Sequence, residues 1–240
     1  MINIRIHYLQ HVPFEGPAGI VKWARKKGHK LTGTHLYNYE VLPHIDEFDF
    51  LVVMGGSMNI YEEGDYPWLK YEKQFIKDAI KNNKIVVGIC LGAQLIADVL
   101  GGKVTKNSER EIGWLSVTFN SMASKYDFFK DFPKEFYVFQ WHGDTFSTLP
   151  EGAECIASSK TCSNEAFVYK KNVIGLQFHM ESTEDSISLL IDNCLDEIKE
   201  GGSFVQSEHE IKSKMNFLNN VNMLMEKLLD ELEAYYVERN

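Results

Sequence analysis

The segment Val86-Val87-Gly88-Ile89-Cys90-Leu91-Gly92-Ala93-Gln94 constrains this chain more than any other. Its first half is an apolar run of the kind that forms a strand buried on both faces. Its second half passes without a polar spacer into a helical pattern. A strand that bends straight into a helix needs small residues on both sides of the bend, and Gly88 and Gly92 stand two residues either side of Cys90. Such a turn presents Cys90 at the carboxyl end of the strand and the amino end of the helix, where the helix dipole favours thiolate over thiol. The Leu91 N–H faces the same space and is a candidate donor to an oxyanion. The plain alternative is a structural cysteine behind a core strand.

Strand and helix patterns alternate around this turn. Residues 2–9, 30–36, 48–54 and 84–89 read as strands, and 17–27 and 68–82 as amphipathic helices, the first ending at Gly28. That alternation predicts an α/β fold, a parallel sheet with helices on both faces. Beyond Gly102 the segments 112–119, 135–141, 155–158, 166–170 and 173–179 are short and β-like, so mixed or antiparallel strands are expected to extend the sheet. Residues 182–200 read as a helix capped by Ser182 or Thr183. Gly201-Gly202 marks an expected boundary between a domain at 1–200 and a helical extension at 201–240. That extension carries an aliphatic and Met stripe to pack on the parent domain or on a second copy, as in a homodimer.

Composition removes several function classes. Hydrophobic residues at 44% allow a full core and exclude disorder for the bulk of the chain. The net charge of −9, from 25 Lys and Arg against 34 Asp and Glu, argues against a nucleic-acid partner. The longest apolar stretch, residues 85–100, contains Gln94 and Asp98 and falls short of the roughly 20 residues that span a bilayer. Four cysteines without C-x-x-C spacing suggest neither a zinc ribbon nor a disulfide scaffold, and the first ten residues lack the apolar core of a signal peptide. A reducing, cytoplasmic setting is the expectation.

A nucleophilic cysteine needs a base, and the base an orienter. His179 ends the apolar run 174–178, and Glu181 follows two residues later, on the same side in extended backbone. If the strands are parallel, His179 emerges at the same sheet edge as Cys90. Gly55-Gly56-Ser57 closes the other strong strand and lets a backbone N–H approach a reacting centre. Trp141-His142-Gly143-Asp144 sits where a β-like segment meets a turn, a candidate pocket loop.

Together these pieces, strongest in GICLGAQ and QFHME, resemble the class I (triad-type) glutamine amidotransferases over roughly residues 45–195. The likeness is greatest to the glutaminase domain of GMP synthetase and its stand-alone relatives. The resemblance implies a flavodoxin-like, three-layer open sheet. It also implies Cys90 as nucleophile, His179 as general base and Glu181 as its orienter. Gly56 and Leu91 would supply the oxyanion amides, and Gln94, Trp141 and His142 would line the pocket. It implies ammonia released from glutamine through a γ-glutamyl thioester, with no metal or organic cofactor. No ATP- or dinucleotide-binding motif is recognisable, so any ammonia-accepting synthase would be a separate subunit. A γ-glutamyl peptidase using the same triad is the close alternative. Three positions depart from the family pattern: Ser57 replaces the proline that stiffens the oxyanion turn, Trp141 a pocket serine, and Met180 the proline between His179 and Glu181.

Overall fold

The computed structural model describes residues 3–239; Ile2 and Asn240, at the ends of two expected elements, lie outside the described residues. The chain runs β1 (Arg5–Gln10), α1 (Ala18–Lys27), β2 (Lys30–His35), β3 (Phe50–Val53), α2 (Trp68–Lys81), β4 (Ile85–Ile89) and α3 (Leu91–Val99). It continues through β5 (Lys103–Phe119), β6 (Glu135–Thr148), β7 (Ala153–Ser158), β8 (Ala166–Tyr169) and β9 (Val173–Leu176). The helices α4 (Glu184–Asn193), α5 (Leu195–Glu200), α6 (Glu208–Ser213) and α7 (Leu218–Arg239) complete it. The strands form one sheet in the order β2-β1-β3-β4-β9-β8-β7-β5-β6. The first five are mutually parallel and the remainder antiparallel.

Period-two alternation explains the three layers. Phe50, Val52, Ile85 and Val87 face one core with α1, α4 and α7, whereas Leu51, Val53 and Val86 face the other with α2 and α3. Both faces of β3 and β4 are therefore apolar, and neither strand has a polar side to show water. Val53 is in register with Gly88, and Gly88 with Gly175, so β3, β4 and β9 finish near one sheet edge. In open α/β sheets that carboxyl edge is where ligands bind.

Three boundaries differ from the sequence reading. Strands β5 and β6 are 17 and 14 residues long, because the polar stretch 103–111 pairs with the end of β6 across an irregularity between Lys106 and Glu111. Here the partner strand, not local propensity, decides the conformation. The helix expected over 182–200 begins at Glu184, with the Thr183 side chain accepting from the Ser186 N–H as its cap, and breaks at Cys194 into α4 and α5. The last strand stops at Leu176, so His179 lies beyond it and donates its N–H to Phe139 O at 2.8 Å.

The C-terminal extension shares the core of the body. Val221, Leu224, Met225, Leu228, Leu229 and Leu232 are buried in the same cluster as Ile20, Trp23 and Phe178. Asp230 accepts a 2.7 Å hydrogen bond from the Trp23 indole, and Ile211 O accepts from Trp114. Phe217 stacks on Tyr137 at 4.4 Å. The stripe that suggested a dimerisation element is thus covered by the chain's own domain. Among the described residues no helix is long and apolar enough to cross a membrane. Leu228 is 0% exposed and Met223 61% exposed, so Leu228→Ala should cost about 2–5 kcal/mol in urea unfolding and Met223→Ala under about 0.5. Equal midpoints for the two variants would contradict this packing.

Candidate active site

Cys90 is the N-cap of α3 with φ 51° and ψ −109°, in the left-handed region that a side-chain-bearing residue adopts at a cost of about 1–3 kcal/mol. The surroundings enforce it. A Cβ on Gly88 would stand 2.5 Å from the Gly92 carbonyl, and one on Gly92 would collide with the Val53 carbonyl. Only glycines let β3, β4 and α3 close to this distance. Cys90 N–H is fixed to Leu176 O at 2.7 Å, which ties the bend to β9.

His179 lies beside this cysteine. Its Nδ1 is 2.8 Å from Glu181 Oε1, with both side chains 5% exposed. Nε2, on the far side of the ring, is buried without a hydrogen-bond partner of its own among the described residues. The imidazole and the thiol are close enough to shift each other's protonation. Burial pushes the Cys90 thiol up, and His179 and the Leu91 N–H draw it back only in part. Burial also opposes the charged imidazole, but Glu181 and Cys90 overcome it and hold His179 well above its ordinary range. Glu181 thus biases the imidazole towards its charged form. Burial works against the thiolate that the helix terminus and His179 favour.

The cavity over Cys90 has a volume of about 90 Å³, and Gly56, Leu91, Gln94, Trp141 and His142 all line it. Gln94 Nε2 donates to Asp144 O at 3.1 Å and Gln177 Oε1 at 3.3 Å, so its amide braces the pocket wall. Trp141 contributes its carbonyl, 3.5 Å from Cys90 Sγ. Two further residues reach the site. Gln177 Nε2 donates towards Cys90 Sγ at 3.7 Å; it stands two residues before His179, and the same alternation that paired His179 with Glu181 would have found it. Glu15, in the loop after β1, lines the cavity, and burial lifts its carboxyl to about 7 against the pull of His179 and His11. Its sequence context carries no comparable signal.

Behind the pocket, His142 Nδ1 is 3.0 Å from Asp144 O and Nε2 is 3.2 Å from Glu111, with Glu165 at 3.9 Å. These three residues bring metal-type ligand atoms within 4.8 Å of one another. These groups shift one another's protonation. The carboxylates outweigh burial and raise His142, and burial together with Glu111 lifts Glu165 to about 8. Glu165 is thus neutral in the fold and ionised when unfolded near neutral pH, so its support is complete below pH 4.5 and is lost as pH rises through 8. Glu165→Gln keeps the neutral shape at every pH. It should melt above the wild-type protein at pH 9, with the gap closing towards pH 5; a gap independent of pH would refute the neutral assignment.

With this geometry in view, the comparisons with known proteins are specific. The family model for class I glutamine amidotransferases matches residues 20–197. The glutamine amidotransferase-like protein YfeJ of Salmonella typhimurium is 32% identical over 98% of this chain and 100% of its own length. The glutamine-hydrolysing GMP synthase of Bacillus pumilus is 37% identical over 55% of this chain but only 24% of that enzyme. A glutamine amidotransferase from Thermotoga maritima superposes with a TM-score of 0.87 at 32% identity, covering 97% of this chain and 99% of that one. The corresponding protein from Methylobacillus flagellatus gives 0.89 at 26% identity, over 97% and 95%. On the extent of the family match and on relatives that share its full length, this chain belongs to the class I glutamine amidotransferases.

Proposed function

We propose that the chain hydrolyses the side-chain amide of glutamine through a γ-glutamyl thioester on Cys90. The observation that carries this reading is the pairing of a strained, elbow-mounted cysteine with a buried His179–Glu181 couple at one sheet edge. Glu181 fixes the imidazole with Nδ1 occupied, which leaves Nε2 to exchange a proton with the thiol. The Cys90 proton passes to Nε2 as sulfur attacks the amide carbon. The resulting oxyanion is met by the Leu91 and Gly56 N–H groups. His179 returns the proton to the leaving nitrogen, and ammonia departs. Water, deprotonated by the same imidazole, then opens the thioester, releasing glutamate and restoring the thiol.

The residues needed for this cycle all precede residue 182, and none of its steps calls on an external cofactor. Any ammonia acceptor lies outside these 240 residues, a reading supported by the match to GMP synthase, which covers only 24% of that enzyme. A panel of glutamine and γ-glutamyl dipeptides, read as released ammonia or amine, tests the choice of substrate; turnover confined to the dipeptides would make the chain a γ-glutamyl peptidase.

Burial pushes Cys162 and Cys194 up to about 12 and also raises Cys155, and among the shifts assigned to these three thiols none comes from a cationic partner. Cys90 alone is drawn back by an imidazole. Brief iodoacetamide treatment at pH 7.5 should therefore label Cys90 first, and His179→Ala should slow that labelling at least about tenfold. Faster labelling of another cysteine would sink the nucleophile assignment.

A further inference from the structure

The turn after β3 poses a problem of direction. A peptide between two glycines has no side chain to resist a flip, and a flip exchanges its carbonyl for its N–H. In Gly55-Gly56-Ser57 the third residue is not a proline, so no ring stiffens the following backbone. Something else has to hold this peptide in one orientation.

His11, immediately after β1, reaches that peptide. Its Nδ1 is 2.8 Å from Gly55 O, and its Nε2 is 2.7 Å from Glu72 Oε1 on α2. Both side chains are 0% exposed, and the imidazole rests against Trp68 with ring centres 5.6 Å apart. An imidazole whose two nitrogens face a carbonyl and a carboxylate donates through both in its charged form, and this setting favours that form. Glu72 overcomes the burial that would otherwise discharge the ring, and Glu15, facing from the β1–α1 loop, adds to it. In a trans peptide the C=O and the following N–H point in opposite directions, so a Gly55 carbonyl held on His11 turns the Gly56 N–H away from it. Gly56, Leu91 and Cys90 line one cavity.

We propose that the buried His11–Glu72 pair is the positioning device of the oxyanion hole, anchoring Gly55 O so that the Gly56 N–H faces the carbon attacked by Cys90. This rests on the amidohydrolase reading above, in which Gly56 is an oxyanion donor. Neither residue touches substrate. Their work is to keep one peptide from flipping, the task that a proline ring performs in the related turns.

The test separates the oxyanion hole from the nucleophile. Attack on iodoacetamide needs the Cys90 thiolate and no oxyanion donor, whereas amide hydrolysis needs both. His11→Phe keeps an aromatic ring beside Trp68 and removes the donor. With the full chain and glutamine as substrate, kcat should fall roughly 10²-fold with KM changed little, the loss expected for one oxyanion donor. The iodoacetamide rate at Cys90 should stay within about threefold. His11→Gln, which retains a donor for Gly55 O, should recover at least about tenfold of the lost kcat although it packs less well against Trp68. Stability alone would rank the two variants the other way. Wild-type turnover with undiminished kcat in His11→Phe would overturn the clamp and leave the amidohydrolase reading standing. Parallel loss of alkylation and turnover would reduce the pair to a structural role and overturn it too. A wild-type protein that labels at Cys90 but hydrolyses neither glutamine nor γ-glutamyl p-nitroanilide would remove the amidohydrolase reading, and the clamp with it.

Discussion

The structure turns on a contact between backbones. Gly92 lies against the Val53 carbonyl, and Gly88 against Gly92, so the end of β3, the end of β4 and the first turn of α3 meet with no side chain between them. That approach forces Cys90 into its positive φ, aims the Leu91 N–H at the sulfur, and places the Gly55-Gly56 turn on the other wall of the same cavity. A methyl group at either glycine would move the strand, the helix or both. Strain at Cys90 persists because the hydrophobic layers on both sides of β3 and β4 hold the strands where they are.

Around this point the protein buries three imidazole–carboxylate pairs, His11–Glu72, His142–Glu111 and His179–Glu181. An isolated charge in such surroundings is costly, and each is retained with a partner about 3 Å away. In each pair a carboxylate takes one ring nitrogen, and the other is aimed elsewhere: at Gly55 O, at Asp144 O, or towards Cys90. The first fixes a turn and the second braces the pocket strand. The third turns its remaining nitrogen to the thiol instead of a backbone carbonyl, which suits it to the role of base proposed above. Glu165, held neutral, completes the second pair without adding a charge.

Much of the centre was legible in the sequence because it is built from consecutive residues with short-range geometry. The elbow is a strand, a cysteine and a helix in unbroken succession, and His179 with Glu181 obeys a two-residue repeat. The long β5–β6 hairpin was shortened in the sequence reading because residues 103–111 are polar and acquire strand conformation only from their partner. His11, Glu72, Glu111 and Glu165 were passed over for a related reason: their partners lie 61, 31 or 23 positions away, and only the folded sheet brings them together. Burial, too, has no local signature, so its upward push on the Cys90 thiol was not legible beside the helix terminus and His179, which favour thiolate.

The C-terminal helix shows how far the machinery extends beyond its motifs. β9 ends at Leu176, and beyond the His179 N–H bond to Phe139 O the segment carrying Glu181 has no strand to hold its backbone. The carbonyls of Met180, Glu181 and Ser182 are nonetheless all engaged. Asn222 Nδ2 of α7 donates to the first at 3.0 Å and the third at 2.8 Å, and the Gly19 N–H of α1 donates to the second at 2.8 Å. A Cβ on Gly19 would stand 2.8 Å from that same carbonyl, so α1 approaches Glu181 as closely as backbone allows. Two helices, one from each end of the chain, thus replace the missing strand, and the apolar face of α7 pins Asn222 in place. The extension contributes no reacting group, yet the orientation of Glu181, and through it the tautomer of His179, depends on contacts that the extension completes.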